Sequence, residues 1–402
     1  MGLIVQKFGG SSVADAEAIQ RVAWIIAEAY SEGNNVVAVL SAQADTTDDL
    51  IEKAKVLNPN PSKREMDVLL STGEQASVAL MAMALEKLGL PAVSLTGWQI
   101  GMNTDSVYGS ARIKALSAER LKAELDRRRI VLVAGFQGVN KFDDITTLGR
   151  GGSDTTAVAL AVALNADICR IYTDVEGIYT CDPQKIPGAK KLTEITYDEM
   201  IELATLGAQV LHNRSVEMAK RYGVKIEVLS SLVREPGTIV KGVTKVEHTK
   251  ISGVAKDADV ARIALVGVPD EPGVAFKIFR VIANAKINID IILQSIDRNN
   301  TNDISFTVDR GDMEKVADVL EENKSVIGYS DIKMTDKIAK VSVVGAGMMS
   351  TPGVAAMMFE ALYDAKINIG MISTSEIKIS VLVDENDADK AVAAIHAKFF
   401  GA

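Results

Sequence analysis

The chain has 402 residues, 48% of them apolar and 24% charged, the balance of a soluble protein with room for two or three domains. A net charge of −9 without a basic stripe argues against nucleic-acid binding, so an anionic ligand has to be met by local cations. Two cysteines (Cys169, Cys181) and three scattered histidines (His212, His248, His396) argue against a disulfide framework and a His/Cys metal site, and point to a reducing cytoplasm.

No apolar run reads as a membrane span, and Met1-Gly2-Leu3-Ile4-Val5 is too short for a signal peptide. Leu3 to Phe8 is a short apolar strand that breaks into Gly9-Gly10-Ser11-Ser12, and the helix after it puts Ile19, Val22, Ile25 and Ile26 on one face. Lys7-Phe8-Gly9-Gly10-Ser11 reverses the order of a P-loop, yet its glycine amides and ammonium still suit a phosphoryl group. Asn35 to Leu40 is a second strand, ending in Ser41 and then Asp45-Thr46-Thr47-Asp48, which reads either as a helix cap or as hydroxyls offered to a small polar substrate. Ser71-Thr72-Gly73-Glu74 is expected to open a helix over Gln75 to Leu88. Further strands are expected at Pro91 to Leu95, Ile130 to Ala134, Ile168 to Tyr172 and Lys225 to Leu229. Strands alternating with helices predict an α/β fold with a mainly parallel sheet covered on both faces, its ligands at the carboxyl ends of the strands.

Thr147-Leu148-Gly149-Arg150-Gly151-Gly152-Ser153-Asp154-Thr155-Thr156 reads as a glycine-rich loop opening into a helix, with Ser153 and Asp154 as cap candidates. Such a start is an anion site, and Arg150 adds a guanidinium. Thr173-Asp174-Val175-Glu176-Gly177-Ile178-Tyr179-Thr180-Cys181-Asp182-Pro183 mixes hydroxyls, carboxylates and one aromatic ring, which suits a nucleoside and a metal-bound phosphate chain. A turn at Arg234-Glu235-Pro236-Gly237 precedes a polar, irregular stretch. Beyond it Pro272-Gly273-Val274-Ala275 recurs as Pro352-Gly353-Val354-Ala355, and Ala285-Lys286-Ile287-Asn288-Ile289 recurs as Ala365-Lys366-Ile367-Asn368-Ile369, both 80 residues on. Each copy reads strand, turn, helix, strand, strand, helix, a ferredoxin-like pattern. The expected divisions are 1–245, a linker at 246–261, and repeats at 262–335 and 336–402.

Together with Gly135-Phe136-Gln137-Gly138, these motifs resemble, in order and over essentially the whole chain, the aspartate kinases of the amino-acid kinase family, with two C-terminal ACT domains. The resemblance implies a three-layer sandwich followed by two βαββαβ domains. It further implies phosphorylation of the β-carboxylate of L-aspartate to 4-phospho-L-aspartate by ATP with Mg²⁺, and no protein-held metal. Lys7 and Asp154 would be catalytic. Ser41, Asp45, Thr46, Thr47, Asp48, Glu74, Arg150, Gly151, Gly152 and Ser153 would hold the acceptor, with Glu74 on its ammonium and Arg150 on its α-carboxylate. Lys7, Phe8, Gly9, Gly10, Thr173, Asp174, Tyr179, Thr180, Cys181, Asp182, Pro183, Gln184, Lys185 and Gln209 would hold the nucleotide.

An amino-acid effector, lysine or threonine, would meet Asp270, Gly273, Val274, Ala275, Asn288, Ile289 and Gln294 in the first repeat. In the second it would meet Val354, Asn368, Ile369, Ser373, Thr374, Ser375 and Glu376. The partners implied are a homo-oligomer formed through the repeats, with a shorter regulatory chain allowed. Where family members carry cations, this chain has Gln184 and Gln209, which implies a raised KM for ATP, with Lys185 placed to substitute. Two other readings stay open on the residues alone. One is a kinase for another carboxylate such as N-acetylglutamate, against which Glu74 speaks; the other is an amino-acid sensor that has lost activity.

Overall fold

Residues 1–179 with 190–247 form one unit of the chain, and 180–189 with 248–402 form a second. The computed structural model describes residues 2–206, 210–242, 251–295 and 300–401, so Gln209 and His248 lie outside the described residues.

In the first unit, short β-branched runs separated by helices assemble into an eight-stranded sheet. Its spatial order is Glu194–Thr196, Thr238–Lys241, Ile226–Ser230, Ile168–Thr173, Leu3–Phe8, Asn35–Leu40, Ile130–Ala134, Ala92–Leu95. Adjacent strands are parallel except Ile226–Ser230 with Thr238–Lys241. Period-two alternation sends Phe8, Val36, Ala38, Leu40, Ile130, Leu132 and Ala134 to one face, where they pack on the helices Ala16–Ser31 and Lys63–Lys87. The residues between them, Val37, Val39, Val131 and Val133, are equally buried. The helix Gly152–Leu164 packs on the three central strands. The sheet is therefore covered on both faces, as a parallel sheet requires. Leu3–Phe8 lies between the second strand in sequence and a much later one, Ile168–Thr173. Its carboxyl end is the topological switch point, where such sheets bind ligands, and Lys7 stands there.

The helix Lys63–Lys87 differs from expectation in two ways. It begins eight residues before Ser71, capped by Ser62, whose hydroxyl accepts from the Glu65 N–H at 3.3 Å. Glu74 is therefore mid-helix and gains nothing from a helix N-terminus. The helix is also long and apolar enough, by length and mean hydropathy, to cross a bilayer. Here it packs against another helix and the sheet and buries two carboxylates, Asp67 and Glu74, which marks it as a core helix. A smaller four-stranded sheet, ordered Ile113–Leu116, Met102–Thr104, Gln137–Val139, Ile145–Thr147, leads the chain into the glycine-rich loop.

The second unit holds two four-stranded sheets of antiparallel pairs. One is ordered Ile292–Gln294, Thr301–Val308, Ala261–Pro269, Asp331–Thr335, and the other Gly253–Asp257, Ile338–Val344, Lys378–Asp384, Met371–Thr374. The repeat is preserved in backbone detail. Gly273 and Gly353 have φ of 96° and 94°, and Lys286 and Lys366 have φ of 61° and 58°. The stretch expected as linker contributes Gly253–Asp257, which fills in the second sheet the edge that Asp331–Thr335 fills in the first. Only Gly253, Val254 and Ala255 are buried there, a run too short to read as a strand from sequence. Thr180 to Ala189 also joins this unit. Cys181 and Ile186 pack with Val254 and Ile395, and Thr180 Oγ1 lies 2.8 Å from His396 Nε2. Both cysteines are free and buried.

Candidate active site

The loop before Gly152–Leu164 owes its shape to two left-handed glycines, Gly149 at φ 78° and Gly151 at φ 68°. A Cβ on Gly151 would lie 2.3 Å from the His212 ring, so only glycine fits. Gly151, and neither Ser153 nor Asp154, is the cap residue, because Gly152 already has helical geometry. Ser153 and Asp154 thus sit in the first turn, facing the site instead of closing the helix. Asp154 places Oδ1 at 2.7 Å from Lys7 Nζ, in an ion pair whose side chains are only 10% and 13% exposed.

Glu74 enters from the opposite side. Gly73 brings its helix so close to Ala42 that a Cβ would meet the Ala42 Cβ at 2.7 Å. That approach lets Glu74 Oε1 accept the Ala42 N–H at 3.2 Å. Its other oxygen, Oε2, is buried with no hydrogen-bond partner among the described residues. Burial pushes the carboxyl from its ordinary 4.5 up to about 7, with the backbone N–H groups of Glu74 and Ala42 pulling back only in part. An orphaned, dehydrated carboxylate oxygen is costly unless a donor arrives.

Lys7, Gly9, Gly10, Ser41, Thr47, Glu74, Arg150, Gly151, Gly152, Ser153 and Asp154 line one cleft of about 280 Å³ together with Ala42, Ala44, Phe136 and Gly149. Arg150 is exposed and has no ion pair among the described residues. Asp45, Thr46 and Asp48 stay out of the lining: Thr46 begins the helix Thr46–Leu57, and Asp45 precedes it without a side-chain cap bond.

The residues expected at the nucleotide separate. Phe8 is fully buried and stacked on Tyr172 at 4.7 Å, so its ring belongs to the core. The Gly9 N–H is drawn to the Tyr172 carbonyl at 3.3 Å, a bond Gly10 does not make. Thr173 donates to Asp174 Oδ1 at 2.9 Å, and Tyr179 to Glu176 Oε2 at 3.1 Å. Thr180 and Cys181 are committed to the core of the second unit. Lys185, expected to replace a missing cation, lies 3.4 Å from Asp389, which also holds Lys256 at 2.6 Å. Asp182, Pro183 and Gln184 are exposed in that unit.

In the repeats Asn288 and Asn368, each between two isoleucines in sequence, are both exposed, and Ile287 and Ile367 turn inward. Val274 and Val354 are buried beside their positive-φ glycines. Asp270 accepts from Asn302 at 2.8 Å, and Ile289 and Ile369 pack on their respective cores. Ala275, Gln294, Thr374, Ser375 and Glu376 are exposed, and Ser373 is half-buried. Sequence reasoning missed Ala42, Ala44 and Phe136 as lining residues. The motif Gly135-Phe136-Gln137-Gly138 was the available signal for the last: Phe136 has φ 70°, and a Cβ on Gly135 would meet Ser153 Oγ at 2.6 Å.

A paired cation and carboxylate at the switch point of a parallel sheet, faced by glycine-rich backbone, is the layout of a phosphoryl-transfer enzyme with a small charged acceptor. Comparison with known proteins agrees. Residues 2–230 match the amino acid kinase family, and 263–323 and 341–399 each match an ACT domain. The chain is 52% identical over 405 residues to an aspartokinase of Mycolicibacterium smegmatis, covering 99% of this chain and 96% of that one. It is 50% identical over 400 residues to one from Bacillus sp. (strain MGA3), covering 99% and 97%. The crystal structure of Escherichia coli aspartokinase III in complex with aspartate and ADP has a TM-score of 0.84 at 28% identity, covering 99% of this chain and all of that one. The chain belongs to the amino acid kinase family and, within it, to the aspartokinases.

Proposed function

We propose that the enzyme transfers the γ-phosphoryl of ATP to the β-carboxylate of L-aspartate, giving 4-phospho-L-aspartate for the routes to lysine, threonine, methionine and diaminopimelate in the cytoplasm. The observation that carries this reading is Glu74, whose buried oxygen without a partner calls for a cationic donor in the cleft. An amino acid's ammonium is such a donor; an acylated nitrogen is not. Arg150, which lines the same cleft, would take the α-carboxylate and direct the β-carboxylate toward Lys7. The acceptor is already ionised at neutral pH, so the step needs positioning and charge stabilisation instead of a general base. Asp154 accordingly serves to hold Lys7, whose ammonium neutralises charge on the phosphoryl in flight.

Among the described residues no three His, Cys, Asp or Glu side chains converge as a metal cage. On this reading Mg²⁺ is carried on the nucleotide phosphates, its common mode, with Asp174 an exposed carboxylate of the expected nucleotide loop. When bound, the ion shields phosphate charge.

A hydroxamate assay with L-aspartate and ATP–Mg²⁺ tests the reaction; absence of acyl phosphate from purified enzyme rejects it. Arg150→Ala should raise the KM for aspartate by roughly 10- to 100-fold, the loss of about 1.5–3 kcal/mol from a charged hydrogen bond. Normal aspartate binding in that variant would assign Arg150 to the phosphates. For the repeats, we expect lysine or threonine to bind near Gly273 and Gly353 and to couple to catalysis by roughly 1–3 kcal/mol. Thermal shifts with each amino acid, alone and combined, read this out, and silence with all of them would leave the repeats to assembly. The exposed edge strands Ile292–Gln294 and Met371–Thr374 support homo-oligomerisation by edge pairing.

A further inference from the structure

Two buried or half-buried charges outside the cleft grip the same two backbone segments. Asp67, 1% exposed, sits on Lys63–Lys87 two helical turns before Glu74. Its Oδ2 accepts the N–H groups of Gly109 and Thr147, each at 2.9 Å, and its Oδ1 accepts the Thr147 hydroxyl at 2.7 Å. Arg214 sits in the first turn of Asn213–Tyr222. Its guanidinium donates to the carbonyls of Leu148, at 2.6 Å, and Ala111, at 2.9 Å. The anion thus takes N–H groups, and the cation takes C=O groups, from residues 109–111 and 147–148. Those segments are themselves joined by Ala111 N–H to the Thr147 carbonyl at 2.8 Å. Gly149 follows at once, and a Cβ on it would stand 3.0 Å from the Gly109 carbonyl. His212, two residues before Arg214, fills the space against Gly151.

We propose that Asp67 and Arg214 are positioning residues that set the place of the Arg150 loop relative to Glu74, and thereby the affinity for the acceptor amino acid. The inference rests on the reading of Glu74 and Arg150 as the acceptor's ammonium and carboxylate sites. Asp67 and Glu74 share one rigid helix, so the carboxylate that meets the ammonium and the carboxylate that anchors the loop move as one body. Arg214 holds the same entry to the loop through its carbonyls, Leu148 being the residue next to Thr147. Asp154 and Lys7 do not depend on this staple, because Asp154 lies within the helix Gly152–Leu164, itself buried along most of its length. Loss of either charge therefore affects acceptor binding before it affects the phosphoryl-transfer step.

The test is steady-state kinetics on the full chain with L-aspartate and ATP–Mg²⁺. Arg214→Met and Asp67→Ala should each raise the KM for aspartate at least ~10-fold while kcat changes less than ~3-fold. Asp67→Asn should remain within ~3-fold of wild type, since its carbonyl oxygen can accept both N–H groups and its amide can donate to the Thr147 hydroxyl. In an Arg150→Ala background Arg214→Met should add little further to KM, because the residue it positions is gone. If Arg214→Met does not fold, Arg214→Lys, which keeps a cation but loses the fork, carries the measurement with a severalfold rise. A wild type that turns over aspartate, with KM unchanged in the variants or with effects that add fully to Arg150→Ala, overturns the staple alone. A wild type that makes no product overturns the acceptor assignment and this proposal with it.

Discussion

Lys7→Ala should lower kcat by at least ~10², if its ammonium offsets charge on the transferring phosphoryl as proposed. The substitution also strands Asp154, a carboxylate 10% exposed, without its partner at 2.7 Å. Loss of a buried counter-ion costs about 1–3 kcal/mol of stability or more. The two effects separate in a double variant. Lys7→Ala with Asp154→Asn removes the stranded charge, so the melting temperature should recover while turnover does not. Recovery of turnover together with stability would show that Lys7 is structural, and an unchanged kcat in the single variant would remove it from the reaction.

Glu74 gives the second large effect, and it depends on pH. In the proposed role the carboxylate meets an ammonium, but burial has raised it from 4.5 to about 7 in the ligand-free protein. kcat/KM for aspartate reports the free enzyme, so it should fall about tenfold per pH unit below 7 and level off above it. At saturating aspartate the bound ammonium draws the carboxyl back down, and kcat should hold to lower pH. Stability runs the other way. Between pH 4.5 and 7 the folded state holds a proton that the unfolded chain has released, so unfolding free energy decreases as pH rises through this window and then flattens. A shift of this size corresponds to at most about 3 kcal/mol. Glu74→Gln keeps an oxygen for the Ala42 N–H and carries no charge. It should raise the KM for aspartate by ~10² or more, abolish the fall in kcat/KM below pH 7, and raise the melting temperature at pH 8. Aspartate itself should stabilise the wild type more at pH 8 than at pH 6. A kcat/KM profile flat across pH 6 to 8 in the wild type would refute the role given to this carboxylate.

These predictions draw on a site that sequence made legible unevenly. Lys7, Glu74, Arg150 and Asp154 were readable because their neighbours are unusual: glycines flank Arg150, and Lys7 lies at the end of a strand, one residue before Gly9-Gly10. The nucleotide side was less legible. Phe8 lies beside Lys7 in the chain, yet strand alternation turns it into the core against Tyr172. Thr180 and Cys181 lie in a stretch rich in polar residues, yet the fold commits them to the second unit. Ser71 and Glu74 looked like a helix start because serine, threonine and glycine cluster there. Ser62, with Glu65 three residues on, was the better cap, and the helix runs through Gly73 because only glycine lets it approach Ala42.

By itself the sequence determined the alternation of strands and helices, the central place of a parallel sheet, the duplicated ferredoxin-like unit and the residue types of the acceptor cleft. Each is local: period-two and helical patterning, turn chemistry and repetition at a fixed offset act over a few neighbours. Tertiary structure alone decided that Gly253–Asp257 completes a sheet by pairing with Ile338–Val344, that Asp67 and Arg214 clasp the same entry to one loop, and that one oxygen of Glu74 is buried without a partner among the described residues. Edge pairing, side-chain reach and desolvation depend on which distant segments come to lie side by side. A single chain pattern encodes those neighbours only through the fold.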